Sequence, residues 1–383
     1  MIPYGKQLIS QADIDSVVAV LESDWLTQGP KVPAFEAAIA KYCNAQYGIA
    51  VNSATSALHI ACLALNVSEG DTVWTSPISF VASANCALYC GAAVDFVDID
   101  LATGNMSVPA LADKLISAKK NNCLPKVVIP VHLAGQSCDM EAIYDLSKQY
   151  GFKIIEDASH AIGAQYNGNK VGCCEFSDIT VFSFHPVKII TSAEGGMAVS
   201  NNQQLAKKLQ RLRSHGITND PNEMTEQSHG PWYYQQVELG FNYRMTELQA
   251  ALGLSQLDKL DEFVTTRNAL AISYSNAFET MPLSHLTQLT KCYSSYHLYV
   301  VKLADGHCHL HRHIIEQLRS KGIISHLHYI PIHTQPFYKE MGFKDSDFPN
   351  AMKYYKTAFT IPLHPQLTEQ EQNYIIDEIG KLL

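Results

Sequence analysis

Three short stretches of this 383-residue chain hold side chains whose types and spacing could do chemistry. The first is Ile154-Ile155-Glu156-Asp157-Ala158-Ser159-His160, an apolar run of strand character that ends in acid. A carboxylate at the end of a buried strand needs a partner, because an isolated buried charge is costly. Asp157 could meet a protonated ring nitrogen there. It could equally cap a helix or join a salt bridge, and His160 alone reads as readily as a structural residue. The second stretch is Ser183-Phe184-His185-Pro186-Val187-Lys188-Ile189-Ile190. Most lysines are solvated surface cations, but Lys188 follows a strand end and lies between Val187 and Ile189-Ile190. Apolar surroundings disfavour the ammonium form and lower its pKa, as a Schiff-base lysine requires. Ala193-Glu194-Gly195-Gly196 follows and reads as a flexible turn that lets backbone pass close to a ligand. The third stretch, Asn52-Ser53-Ala54-Thr55-Ser56-Ala57, comes directly after a strand and opens a helix. Free N–H groups at a helix start, with small and hydroxyl side chains, can hold a phosphate dianion. The plain alternative is an ordinary N-cap, where Ser and Thr are favoured anyway.

Each stretch is ambiguous alone; together they are less so. They supply a phosphate anchor, a partner for a ring nitrogen and an amine able to condense with an aldehyde. That is the set pyridoxal 5'-phosphate (PLP) requires. A rival lies in Gly306-His307-Cys308-His309-Leu310-His311-Arg312-His313. If extended, it would put His307, His309, His311 and His313 on one face, like a metal tract. Ile314, Ile315 and Leu318 continue it at helical spacing, so the expectation is a surface helix and no metal. A nicotinamide-dependent oxidoreductase is also weakly supported, since no G-x-G-x-x-G follows the first strand.

Such residues need a scaffold. From Tyr47 to Asp157, short strand-like runs alternate with helical ones, which implies a mostly parallel sheet with helices on both faces. Ligands of such sheets bind beyond the carboxyl ends of the strands. Ile179 to Phe182 and Gly196 to Val199 read as two further strands with no room for a crossover helix between them. Ser10 and Asp13 resemble a capping box, opening a helix whose apolar stripe is Ile14, Val17, Val18 and Leu21. From Thr246 to about Phe278 one continuous helical pattern would span about 50 Å, enough to connect two domains. The expectation is a large domain over 1–250, then the connecting helix and a small α+β domain over 251–383.

The charge balance, 28 basic against 37 acidic groups, argues against broad nucleic-acid or anionic-membrane binding. No window approaches the ~20 apolar residues of a membrane helix, and Met1 to Lys6 lacks the charged-then-apolar order of a signal peptide. Ten cysteines without a CxxC pair read as reduced thiols, so the expected setting is cytoplasmic.

Along essentially its whole length the chain resembles the DegT/StrS family of sugar aminotransferases. The resemblance is carried by Ser23-Asp24-Trp25-Leu26-Thr27-Gln28-Gly29-Pro30, Asn52 to Ala57, Glu156 to His160, Ser183 to Lys188 and Gly240-Phe241-Asn242-Tyr243-Arg244-Met245. It implies the α/β fold type I of PLP-dependent transferases: a mostly parallel, seven-stranded-type sheet flanked by helices, with a smaller C-terminal α+β domain. It further implies PLP as cofactor, with pyridoxamine phosphate as the amino-carrying form, and L-glutamate as donor. The implied acceptor is a UDP-linked keto-sugar, and the implied assembly a homodimer with a shared site. Carried across position by position, Lys188 is the Schiff-base lysine and Asp157 pairs with the pyridine nitrogen. Phe80 takes the place of the aromatic on the ring face, and His160 that of the group near the ring hydroxyl. Ala54, Thr55 and Ser183 hold the phosphate, joined by Asn242 of the partner subunit. Thr27, Gly29, His328 and Tyr329 fall where the family meets its nucleotide-sugar, and His326 to His333 reads as a pocket loop. Two alternatives stay open: a different nucleotide-linked keto-sugar, or a fold-related regulator, against which the retained Lys188 speaks.

Overall fold

The alternation between Tyr47 and Asp157 builds a seven-stranded sheet in the computed structural model, which describes residues 1–383. Its strands are β1 (Tyr47–Val51), β2 (Thr72–Thr75), β3 (Ala93–Phe96), β4 (Val127–Ile129), β5 (Lys153–Asp157), β6 (Ile179–Ser183) and β7 (Gly196–Ser200), in the order β1-β7-β6-β5-β4-β2-β3. Neighbours from β3 to β6 pair in parallel, while β7 runs antiparallel to both β6 and β1. The helices are α1 (Gln11–Leu21), α2 (Lys31–Cys43), α3 (Ala54–Ala64), α4 (Ala82–Tyr89), α5 (Val108–Lys120), α6 (Met140–Tyr150), α7 (Gln203–Leu212), α8 (Glu247–Leu257) and α9 (Leu260–Phe278).

Successive strand residues point to opposite faces, so each strand feeds two cores. Val127, Ile129 and Ile155 enter a cluster of 40 buried residues with α3, α4 and α7. Val128 and Ile154 enter another, with α5 and α6. This is the buried, β-branched pattern of a sheet covered on both faces. Gly151 ends α6 at φ 83°, a left-handed turn that suits glycine.

Beyond α9 a three-stranded antiparallel sheet (Leu283–His285, Tyr299–Leu303, Ala358–Ile361) packs with α9 and the helices His311–Ser320 and Glu369–Gly380 around Tyr274, Tyr299 and Phe359. The segment between the last two strands also leans on the large sheet. Ile332, Tyr338, Phe348 and Tyr354 join its forty-residue core, and the Ile332 N–H donates to the Pro77 carbonyl at 2.8 Å. That seam lays His328 and Tyr329 over the sheet. The histidine-rich tract forms a short turn over Cys308–Leu310 and enters the helix His311–Ser320, and no group of three or more potential ligands is placed to hold a metal. All ten cysteines are free thiols. No helix is long and apolar enough to cross a membrane.

Two expectations fail, for one shared reason. The stripe of α1 does not face the core: Ile14 is 48% and Leu21 58% exposed, and the helix buries Asp13 and Val20 instead. The pattern from Thr246 to Phe278 is two helices, broken at Asp258-Lys259. Asp13 is fully buried and forms the expected capping box with Ser10. It also accepts from Ser255 Oγ at 2.6 Å, Gln256 Nε2 at 2.9 Å and Lys259 Nζ at 2.6 Å. A buried carboxylate needs that cation, and the break in the helix is where Lys259 turns toward it. Periodicity registers neither constraint.

Burial alone would raise the Asp13 carboxyl, but the Lys259 ammonium and the hydroxyl and N–H donors outweigh it and pull it down to about 2. An unfolded aspartate titrates near ~3.9, so this pair stabilises the fold above that pH and is lost as pH falls toward 2. Asp13→Asn is therefore expected to lower the unfolding midpoint at pH 7, with the gap to wild type shrinking in urea melts at pH 3. An undiminished gap at low pH would contradict this account.

Candidate active site

The carboxyl ends of β5 and β6, the loop after β2 and the start of α3 open onto one cavity of about 900 Å³. Ala54, Thr55, Phe80, Asp157, His160, Ser183, Lys188, His328 and Tyr329 all line it, nine of the twelve residues singled out from sequence.

At the α3 start, Ser53 adopts an extended conformation and its Oγ accepts from the Ser56 N–H at 3.2 Å. Ser56 Oγ donates to Asn52 Oδ1 at 2.7 Å, and the Asn52 N–H donates to the Tyr243 carbonyl at 2.8 Å. The loop is thereby tied down while the first N–H groups of the helix keep no intrahelical acceptor. A second constraint comes from β7: a Cβ at Gly196 would lie 2.5 Å from the Ser53 carbonyl carbon. Gly196 thus admits the cradle's own backbone, and Gly195 the side chains of Ser192 and Met245, not a ligand as the sequence suggested; of that turn only Glu194 reaches the cavity.

The two acids of β5 part company. Glu156 turns away from the cavity and meets the buried His132 Nε2 at 2.7 Å, with Ser177 and Thr180 donating to its other oxygen. Burial pushes Glu156 up, yet the imidazole and the hydroxyls outweigh it and hold the carboxyl below its usual range. Asp157, buried on the cavity side, accepts only from neutral donors: Ser83 Oγ at 2.6 Å and the Ser159 N–H at 3.1 Å. It is a buried carboxylate with no ion pair.

Lys188 sits opposite, in a turn whose N–H donates to the His185 carbonyl at 2.9 Å. Desolvation lowers its amine to about 8, the nearby Asp157 charge opposing the shift. His160 Nδ1 accepts from the Ala134 N–H at 3.2 Å, so the neutral ring carries its proton on Nε2 and donates it to Tyr329 Oη at 3.0 Å. Burial, then the charges of Lys188 and His328, holds His160 well below its usual range. His328 falls to about 3 by burial, then by His326 and Lys188, and its Nδ1 lies 2.8 Å from Thr360 Oγ1. Phe80 is 59% exposed at the rim, its ring 6.3 Å from that of Tyr329.

Three of the twelve lie elsewhere. Thr27 bridges Thr246 just before α8, Gly29 packs against Trp25 and Glu247, and the exposed Asn242 bridges Ser214. Conversely, Tyr4, Ser79 and Gln249 line the cavity without having been singled out, while His185, Glu194 and His326 come from the lysine stretch, the glycine turn and the pocket loop read from the sequence. Tyr4 arrives because Ile2 bridges Ile323 and the Leu363 N–H donates to the Tyr4 carbonyl, which sets its ring 4.9 Å from His328. Nothing in a lone tyrosine near a chain start signals this. Glu194, an acid ahead of two glycines, was legible.

A buried carboxylate with no ion pair, an amine of lowered basicity and a helix start with free N–H groups match the ring nitrogen, aldehyde and phosphate of PLP. The model of the DegT/DnrJ/EryC1/StrS aminotransferase family matches residues 7–380. The chain belongs to this family. DegT-family aminotransferases are PLP-dependent, and this one shares their fold. The chain is 38% identical over 385 residues to the UDP-4-amino-4,6-dideoxy-N-acetyl-beta-L-altrosamine transaminase of Campylobacter jejuni, covering 100% of this chain and 98% of that protein. Among solved structures it is similar to Helicobacter pylori PseC, an aminotransferase involved in the biosynthesis of pseudoaminic acid. That match has a TM-score of 0.90 at 33% identity and covers 100% of this chain and 98% of PseC. It is equally similar in fold to a putative sugar aminotransferase of Streptococcus pneumoniae in its PMP form, at TM-score 0.90 and 30% identity over 100% and 99% of the two chains. The PLP form of that protein matches at TM-score 0.89.

The close approach of β7 to the cradle is testable. Gly196→Ala forces a methyl against backbone that cannot swing aside, and overpacking of this kind costs about 1–3 kcal/mol. The variant is expected to melt earlier and, while folded, to bind PLP at least about tenfold more weakly in an absorbance titration. Wild-type affinity would mean that the cradle tolerates displacement.

Proposed function

We propose that this DegT-family enzyme transfers the amino group of L-glutamate to C4 of a UDP-linked 4-keto-6-deoxy-N-acetylhexose. In full, the acceptor is UDP-2-acetamido-2,6-dideoxy-β-L-arabino-hex-4-ulose, an intermediate of pseudaminic acid biosynthesis. The observation that carries the transamination is the single cavity in which a desolvated Lys188 faces Asp157, a buried acid with no ion pair, beside the start of α3. The identity to the Campylobacter transaminase and the likeness to PseC support the choice of sugar. The runner-up is another nucleotide-linked keto-sugar, in keeping with the equal fold match to the Streptococcus protein.

PLP, when bound, supplies an electron sink that lets a proton leave the donor's α carbon. The α3 start, Thr55 and Ser183 bind the phosphate, and Phe80 covers a ring face. Asp157 holds the proton of the ring nitrogen. Lys188, with an amine near 8, offers a substantial unprotonated fraction at mildly alkaline pH; its Nζ takes the proton from one carbon and returns it to another. Tyr329 Oη, already accepting from His160, keeps its own proton free to donate into the cavity. The same groups serve glutamate and then the keto-sugar, so the two substrates take turns in one site.

A homodimer completes this reading, with Asn242 of the partner subunit reaching the phosphate. Its support is the apolar surface this chain leaves bare: Ile14, Leu21, Trp25 and Leu26 on and after α1, then Trp232 at 75% and Leu239 at 77% exposure in the loop before Asn242. Large apolar side chains left in water in such numbers favour burial against a partner.

Incubation of enzyme, PLP and glutamate with a panel of UDP- and dTDP-linked keto-sugars should aminate the named UDP sugar at C4. Lys188→Ala should lower turnover about 100- to 10,000-fold and abolish the visible absorbance of bound cofactor while the circular dichroism stays native. An active Lys188→Ala protein that keeps its absorbance would overturn the transamination; a preference for another sugar would overturn only the substrate. A Lys188→Ala protein mixed with an Asn242→Ala protein should regain activity through hybrid dimers, and no recovery from verified hybrids would remove the shared site.

A further inference from the structure

The proposed pairing of Asp157 with a ring nitrogen poses a physical question: what keeps this acid ionised and aimed? Glu156, its neighbour on the strand, is paired with an imidazole. Asp157 has only neutral donors, and the stronger of them belongs to a chain of hydroxyls. Ser83, in the first turn of α4, is wholly buried, and its Oγ lies 2.6 Å from Asp157 Oδ2. Ser79 Oγ lies 2.7 Å from Ser83 Oγ. A carboxylate only accepts and a hydroxyl has one proton. Ser83 therefore spends its proton on Asp157, and Ser79 must donate to Ser83. The direction is fixed from cavity wall to acid: Ser79, Ser83, Asp157.

The relay is held from several sides. The Ser83 N–H donates to the Phe80 carbonyl at 3.2 Å, and Cys86 Sγ donates to the Ser83 carbonyl at 3.3 Å. Tyr338 Oη donates to Asn85 Oδ1 at 2.5 Å, which ties the same turn to the helix Pro336–Glu340. Ser79 itself lines the cavity beside Phe80. Hydrogen bonds to the charged form of a carboxyl favour that form. Neutral donors do so without supplying a positive charge, so the negative charge of Asp157 is left for a ligand. A lysine or arginine in the place of Ser83 would compete with the ring nitrogen.

We propose that Ser83, oriented by Ser79, is the positioning residue of Asp157: it fixes the plane of the carboxylate and keeps it ionised, and so sets how tightly the nitrogen of PLP is held. This rests on the role given to Asp157 above.

The test uses apoprotein reconstituted with PLP, reading the dissociation constant and the pH dependence of the cofactor's visible band. A lost hydrogen bond to a charged group should make Ser83→Ala bind PLP about 10- to 100-fold more weakly. Without that hydrogen bond the charged form of the acid loses support, so the acid limb of the band should move to higher pH. The other titratable groups around the acid are Lys188, His160 and Tyr329, and Asp157→Asn identifies the limb by removing it. Ser83→Thr, which keeps the hydroxyl, should restore both readouts, and Ser79→Ala should shift both less, in the same direction. Wild-type affinity and an unmoved limb in Ser83→Ala, with the limb still absent in Asp157→Asn, would overturn the relay alone. If Asp157→Asn also behaves as wild type, the ring-nitrogen role itself falls.

Discussion

A buried carboxylate with no ion pair is the constraint around which this cavity is arranged. Asp157, at the end of β5, takes hydrogen bonds only from a serine hydroxyl and a backbone N–H, and the nearby charge of Lys188 acts on it without a direct contact. A buried charge so lightly compensated is costly. The rest of the fold can be understood as holding that acid, the amine of Lys188 and the start of α3 in one enclosure. Three strand ends do most of this. β1 delivers the cradle, β5 the acid, and β6 leads through Ser183 to Lys188, all at the same edge of one sheet.

Sheet geometry explains how two adjacent acids acquire unlike environments. Residues 156 and 157 point to opposite faces because the strand alternates. Glu156 falls on the side of His132, Ser177 and Thr180, where it is fully compensated. Asp157 falls on the side of α4, where it is not. A shift of register by one residue would exchange them, and the paired acid would then face the cavity. The parallel pairing of β5 with β6 through Ile155, Glu156 and Asp157 is thus a functional constraint as well as a structural one.

Much of this was legible in the chain, and what was not has identifiable causes. Strand-and-helix alternation is a local pattern, so the sheet and most helix ends could be read, Gly151 and the Ser10-Asp13 capping box among them. Apolar flanks and helix-start chemistry singled out Lys188, Asp157 and the Asn52 to Ala57 loop, and all of these meet in one cavity. The misreadings concern long-range polar pairing. Lys259 turns out of a continuous helical pattern to reach Asp13, and no periodicity encodes a contact across 246 residues. The outward stripe of α1 has the same origin, since the polar face of the helix is the one the fold buries. Tyr4 reaches the cavity through pairings of the first residues with Ile323 and Leu363, which depend on the tertiary fold alone. Thr27, Gly29 and Asn242, taken from family resemblance, sit outside the cavity that this chain lines.

The basic groups around Lys188 complete the argument. His160, His297 and His328 crowd the same region, with His160 and His297 only 4.4 Å apart. Burial first, and then mutual repulsion with Lys188, holds all three below the usual histidine range. Arg267, wholly buried on α9, adds to the depression of His297 and donates to three backbone carbonyls, those of Tyr296, His297 and Leu363. Burial lowers it to about 10, so it stays charged at neutral pH. The histidines consequently serve as neutral donors and acceptors of fixed orientation, and His160 in particular passes its proton toward Tyr329 rather than gaining a charge. Proton transfer between two carbons needs a base that is not outcompeted by its neighbours. Among these basic groups the amine of Lys188 is the one brought to about 8, by burial acting against the charge of Asp157.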